Sequence, residues 1–276
     1  MHWVLQDNLF NEAGYRDLLD TLKRFKFDYS IHKVIPFIGE LTPEPQIGTK
    51  NVICMGSYSL RHAAKKNGWN PGVFDLEPQT FEVQKQHWGE HMLNYDSVVT
   101  PFKDAVFTED HMFIRPIEDS KIFAGKVMNA DEFKQWQHQV VNLKEDYGHG
   151  ENFGDQLIQV SSIKKIYAEY RFWIVDQKIV TASLYKRGNT VTYSSDVDMR
   201  IRWFATQIIR TDNCKTEQNM MLENNGWRPH DAFVLDVCET DQGMRVVEIN
   251  TLNSSGFYAA NLTDLVLALD YKFHQK

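Results

Sequence analysis

Asp236, Glu248 and Asn250 stand out as residues whose types and spacing could do chemistry, within the stretch DAFVLDVCETDQGMRVVEINTLNSSG from Asp231 to Gly256. Apolar β-formers flank a polar tip, Glu239-Thr240-Asp241-Gln242-Gly243, so the pattern predicts a hairpin of strands over Ala232–Cys238 and Met244–Ile249. Alternation places Asp236 with Val234 and Cys238, and Glu248 with Val246 and Asn250, and pairing can bring both acids onto one face. A carboxylate set mid-strand among apolar residues is costly to desolvate unless a positive charge neutralises it. A hard divalent cation with oxygen ligands meets that need. The three side chains are candidate magnesium ligands; the alternative is a solvated outer face of the sheet.

A second pattern points to different chemistry. His87-Trp88-Gly89-Glu90-His91, in a helix expected over Phe81–Leu93, matches the H-x-x-E-H string of inverted zinc peptidases, with two histidines on one face and a glutamate as general base. Gly89 weakens that helix at its centre, and no downstream helix offers a third carboxylate ligand.

The elements that must position these groups follow from periodicity and turn residues. A short amphipathic helix is expected over 11–25, a strand over 29–37, and a strand over 51–55 running through Gly56-Ser57 into a helix to about Asn67. That helix N-terminus could hold an anion or serve only as a cap. Further strands are expected over 112–116, around 122–127 and over 156–160, with helices over 131–143, 198–209, 215–225 and 257–273. A hairpin over 166–175 and 178–185 turns at Asp176-Gln177. On its first strand Glu169, Arg171 and Trp173 share a face.

The chain has 276 residues, 42% hydrophobic and 13% aromatic, with a net charge of −7. That is enough for two lobes with a full core, and the interspersed charge gives no footprint for nucleic acid or anionic membrane. No stretch reads as a signal peptide or approaches the roughly 20 apolar residues of a span, so a cytoplasmic protein is expected. Cys54, Cys214 and Cys238 lack CxxC spacing, so neither a disulfide framework nor a thiolate zinc site is indicated.

A strand bearing an Asp, then a strand ending Glu248-Ile249-Asn250 and running into Asn253-Ser254-Ser255-Gly256, resembles the metal-binding end of the ATP-grasp superfamily. Upstream, MFIRP ending at Arg115-Pro116, followed by EDSKIFAGK, resembles the phage-rich clade named for one arginine and two lysines. The resemblance covers residues 97–276. It implies an α+β, ATP-grasp fold of two subdomains (97–276) preceded by a small α/β N-terminal lobe (1–96). By resemblance Arg115, Lys121 and Lys126 contact the nucleotide, and the backbone of Gln159, Val160, Ser161 and Ser162 pairs with adenine. Arg171, Lys186 and Arg187 contact phosphate oxygens and the reacting carboxyl, Asp236, Glu248 and Asn250 hold two magnesium ions, and Asn253 and Ser254 meet the second substrate. The implied activity is an ATP-dependent carboxylate–amine ligase that forms an amide through an acyl phosphate and releases ADP and phosphate. Its substrates would be acids and amines, small or peptidic. The alternatives are phosphotransfer on the same fold, nucleotide binding without turnover, and the zinc hydrolase of His87, Glu90 and His91.

Overall fold

The apolar run Trp3-Val4-Leu5 forms the middle of a parallel strand, β1 (His2–Gln6), buried on both faces. This computed structural model describes residues 1–7, 14–76, 80–117, 123–142, 153–210 and 227–274. Helix α1 (Tyr15–Arg24) follows, then β2 (Asp28–Val34), β3 (Leu41–Thr42), β4 (Asn51–Met55), α2 (Leu60–Asn67) and β5 (Asn70–Gly72). The sheet order is β3-β2-β1-β4-β5, parallel except for the β2–β3 pair. Helix α2 starts later than expected because the chain at its entrance is tied down. The Gly56 N–H donates to the Asn253 carbonyl at 2.7 Å, and the Ser57 N–H donates to Gln6 Oε1 at 2.7 Å. Those donors are engaged within the protein, and the turn serves structure rather than an anion.

The chain divides into two compact units, Met1–Pro78 with Ile166–Lys276, and Gln79–Lys165. These boundaries differ from the division at residue 96 expected above. The second unit holds α3 (Phe81–Trp88), β6 (Val98–Pro101), β7 (His111–Pro116), β8 (Lys126–Asn129), α4 (Ala130–Asn142) and β9 (Leu157–Ser161), with sheet order β6-β9-β7-β8. Its core packs Phe102 edge-on to Trp136 at 4.7 Å and Phe107 flat on Phe133 at 4.3 Å.

The remainder of the first unit is β10 (Ile166–Val175), β11 (Lys178–Arg187), β12 (Thr190–Ser194), α5 (Met199–Ile209), β13 (Ala232–Thr240), β14 (Gly243–Asn250) and α6 (Leu262–His274). Its antiparallel sheet runs β12-β11-β10-β13-β14. One core joins this sheet to the first: Trp3, Ile53 and Met55 pack with Leu18 of α1, Trp173 and Val234 of the second sheet, and Leu265 and Leu269 of α6. The N-terminal sheet is therefore built into the same hydrophobic body as the candidate metal hairpin. No described helix is long and apolar enough to cross a membrane.

The β10–β11 turn places Asp176 and Gln177 at φ 50° and 60°, the left-handed pair of a two-residue hairpin turn. Hydrogen bonds from Lys272 and Arg228 hold the Asp176 carboxyl down, to about 2. A depressed carboxyl contributes stability above the unfolded value of about 3.9, and that stability is lost as pH falls through the folded value. Asp176→Asn keeps the left-handed turn but removes the charge. We expect its melting temperature to lie below wild type by no more than about 3 °C at pH 7, because the network is half exposed. The two curves should meet near pH 2, and a gap that persists there would refute the assignment.

Candidate active site on the C-terminal sheet

The hairpin β13–β14 sets Asp236 directly opposite Glu248 and Val234 opposite Asn250, while β10 sets Arg171 opposite Asp236 on the other side. These side chains share one sheet face, with Trp173 and Val234 continuing that face into the core. The expected grouping of Glu248 with Val246 does not hold. Asp236 pairs with Glu248 but Val237 pairs with Val246, so one extra residue, Val247, sits in a bulge. The bulge puts Val246 on the opposite, apolar face, where it is fully buried, and leaves Glu248 and Asn250 in the row of Asp236.

Arg171 forks onto Asp236, with Nε donating to Oδ1 at 2.8 Å and Nη2 donating to Oδ2 at 2.7 Å. The pair is buried, Asp236 being 2% and Arg171 8% exposed. Asn250 Nδ2 donates to both Asp236 Oδ2 and Glu248 Oε1 at 3.2 Å. Arg171 Nη1 reaches the Gly256 carbonyl at 3.4 Å, and the guanidinium carbon lies 4.8 Å from the Tyr258 ring centroid and 5.6 Å from that of Tyr185. Tyr258 stacks on Tyr185 at 5.2 Å and on Tyr193 at 5.0 Å. Arg171 thus makes the cross-strand ion pair, with its face covered by tyrosines.

Burial pushes the Asp236 carboxyl up to about 6, against the lowering effect of Arg171 and with a further rise from Glu248. Burial works against the charge of Arg171, but its bonds to Asp236 hold it above the ordinary guanidinium value. One guanidinium therefore faces two carboxylates, which leaves an excess of negative charge at a set of oxygen donors. That donor chemistry fits a hard divalent ion. Among the described residues no group of three or more His, Cys, Asp or Glu is placed to hold a metal. Two acids and an amide oxygen form a sparse set, which suits magnesium because it keeps several of its own waters.

Lys186 Nζ is 2.7 Å from Glu169 Oε1, and Tyr185 donates to Glu169 Oε2 at 2.8 Å. Arg187 ends β11 as an exposed residue, paired along the backbone with Ala168 and Thr190. Sequence reasoning missed Glu169 and Tyr258 as parts of this cluster. The shared face of Glu169 and Arg171 was a signal for the first. Nothing local marked the second, because the helix expected from Phe257 starts only at Leu262. The intervening turn, with Tyr258 at φ 49°, docks on β11 through Ala259 N–H to Ser183 Oγ at 3.2 Å and Asn261 N–H to Thr181 Oγ1 at 2.8 Å.

Asn253 is buried at 3% exposure, its Oδ1 accepting from the Phe74 N–H at 3.3 Å and its Nδ2 donating to the Gly56 carbonyl at 3.4 Å. Ser254 is exposed, its hydroxyl 2.5 Å from that of Thr251.

In the second unit, Arg115 pairs with Gln159 across β7 and β9, so the two share a face; Ile114 and Val160 form the next pair and lie in the core. Strand β9 is hydrogen-bonded on both edges through Val160, and Ser161 and Ser162 reach Asn94 and Asp96 at 3.3 and 3.4 Å. The chain passes between units just after them, at Lys165–Ile166. Lys126 lies over the Trp136 ring at 4.1 Å. Lys121 lies outside the described residues.

A family model for an ATP-grasp domain, family 3 of the clade named for one arginine and two lysines, matches residues 57–269. The chain belongs to this ATP-grasp family. The match begins about 40 residues before the resemblance read from the motifs, so it takes in α2 and α3. No curated protein matches the sequence. Solved structures share the fold at low identity. D-cycloserine synthetase DcsG aligns with TM-score 0.60 at 9% identity, over 99% of this chain and 100% of that one. D-alanine–D-alanine ligase from Bacillus anthracis complexed with ATP gives 0.59 at 10%, over 100% and 97%. The ATP-grasp ligase PsnB, complexed with minimal precursor, Mg and ADP, gives 0.53 at 11%, over 99% and 98%.

Within this ATP-grasp chain the zinc-hydrolase pattern loses its geometry. Helix α3 ends at Trp88, and Gly89, at φ 47°, turns the chain into a 3-10 segment over Gly89–His91. His87 and His91 are therefore not one turn apart on one α-helical face. The glycine that weakened the expected helix terminates it.

Proposed function

We propose that the chain is an ATP-dependent carboxylate–amine ligase that forms an amide through an acyl phosphate. The observation that carries this reading is the row of Asp236, Glu248 and Asn250 against buried Arg171, in a chain of the ATP-grasp family. Magnesium held by those three side chains would supply the neutralisation that lets a carboxylate oxygen approach the γ-phosphate. Arg171 and Lys186 add positive charge at the reacting oxygens, and Tyr185 and Glu169 hold Lys186 in register. A carboxylate oxygen attacks phosphorus and ADP leaves. The amine then attacks the acyl carbon, loses a proton and expels phosphate. Arg187, exposed at the end of β11, and Ser254, exposed after β14, are proposed substrate contacts. Arg115, Lys121 and Lys126 are proposed nucleotide contacts, and the chain from Gln159 to Ser162 the adenine contact. Asn253 serves this site by locking the loop after β14 to Gly56 and Phe74.

The test is ADP and phosphate release across panels of acids and amines, followed by the same assay with an ¹⁸O-labelled carboxylate. We expect release only when acid and amine are both present, with one label appearing in phosphate. Transfer of the γ-phosphoryl group to a stable product without free phosphate would overturn the ligase reading in favour of phosphotransfer.

A further inference from the structure

The oxygens that suit a metal at this site already hold a cation. Arg171 engages both oxygens of Asp236, and Asn250 Nδ2 adds a further donor to Oδ2 while bridging to Glu248. A second positive charge on the same buried carboxylate meets strong repulsion, because the surroundings screen weakly. Asn250 also presents its N–H₂ end to both acids, so its amide must turn over before its oxygen can serve as a ligand. The arrangement is closed upon itself, with the guanidinium standing where a metal's charge would act.

The contacts on the face of the guanidinium are of another kind. Tyr258 and Tyr185 hold it through their rings at 4.8 and 5.6 Å, and Tyr193 backs Tyr258. Ring contacts of this type make no demand on the N–H edge. They are made independently of the bonds to Asp236, and the turn carrying Tyr258 is pinned to Ser183 and Thr181.

We propose that Arg171 is the resident cation of the site, exchanged for magnesium at Asp236, and that Tyr185 and Tyr258 are positioning residues that keep the released guanidinium in place with its N–H edge free for phosphate. The proposal rests on the ligase reading and deepens it. The ion pair offsets the buried charge of Asp236 without nucleotide, and Arg171 becomes available to phosphate only once a metal has taken its place.

The experiment compares the response to magnesium alone, and to magnesium with a non-hydrolysable ATP analogue, by calorimetry and thermal melting. Arg171→Met is expected to bind magnesium alone about tenfold tighter than wild type, because a competing buried cation is gone. Equal or weaker binding would overturn the exchange. Should Arg171→Met fail to fold, wild type decides through the Arg171 Nε–H NMR signal, identified by its absence in Arg171→Lys. That signal is expected to move from a carboxylate-bonded position when magnesium and the analogue are added, and a signal that stays put while the analogue binds refutes the exchange. Tyr258→Leu is expected to weaken analogue binding by about 3- to 30-fold and Tyr258→Phe to restore it; no restoration would rule out the ring face as the positioning element. If wild type binds no analogue, the ligase reading fails and the exchange falls with it. If it binds but the Arg171 results go the other way, the exchange alone fails.

Discussion

Asp236→Ala is expected to lower the melting temperature by on the order of 10 °C in the absence of any ligand. The variant leaves the Arg171 guanidinium, 8% exposed, without the carboxylate that takes two of its hydrogen bonds at 2.8 and 2.7 Å. Breaking a buried pair from one side costs about 3–5 kcal/mol, because the remaining charge stays desolvated. Replacing both partners by apolar residues of similar volume removes that charge. Asp236→Leu combined with Arg171→Met should therefore be more stable than the Asp236→Ala single variant. A single variant within about 2 °C of wild type, measured by calorimetry at neutral pH, would show that the pair is open to water and not a buried ion pair.

The parts of this fold and site that could be read from residues alone share a physical property: their signal is local. The Asp176-Gln177 and β13–β14 turns announce themselves through polar and glycine residues between alternating apolar runs, and the acids of the second hairpin stand out against their apolar neighbours. Strand β1 did not announce itself because it is parallel and central, so Trp3, Val4 and Leu5 are all buried and no alternation appears. The bulge at Val247 is a property of pairing with β13 and is invisible along β14 by itself. The turn at Gly56 stood open between an anion site and a structural cap because the groups that occupy its donors, Gln6 Oε1 and the Asn253 carbonyl, come from 50 residues before it and nearly 200 after it. Tyr258 reached Arg171 by a turn whose partners, Ser183 and Thr181, lie on a distant strand. In the second unit the glycine that disfavoured the zinc pattern was a local signal, and it proved to be a helix stop.

On the proposed function, Asp236, Glu248 and Asn250 act together as the cation site of a nucleotide. Glu248 is the acid to remove, because it is only half-buried, lies outside the Arg171 fork and can be truncated without stranding a buried guanidinium. Titration of wild type and Glu248→Ala with ATP, with and without magnesium and read by calorimetry, decides whether they do. Wild type is expected to bind ATP in a magnesium-dependent way, and Glu248→Ala, melting within a few degrees of wild type, to lose that binding by at least about 100-fold in affinity. Equal, magnesium-dependent binding by both proteins would contradict it.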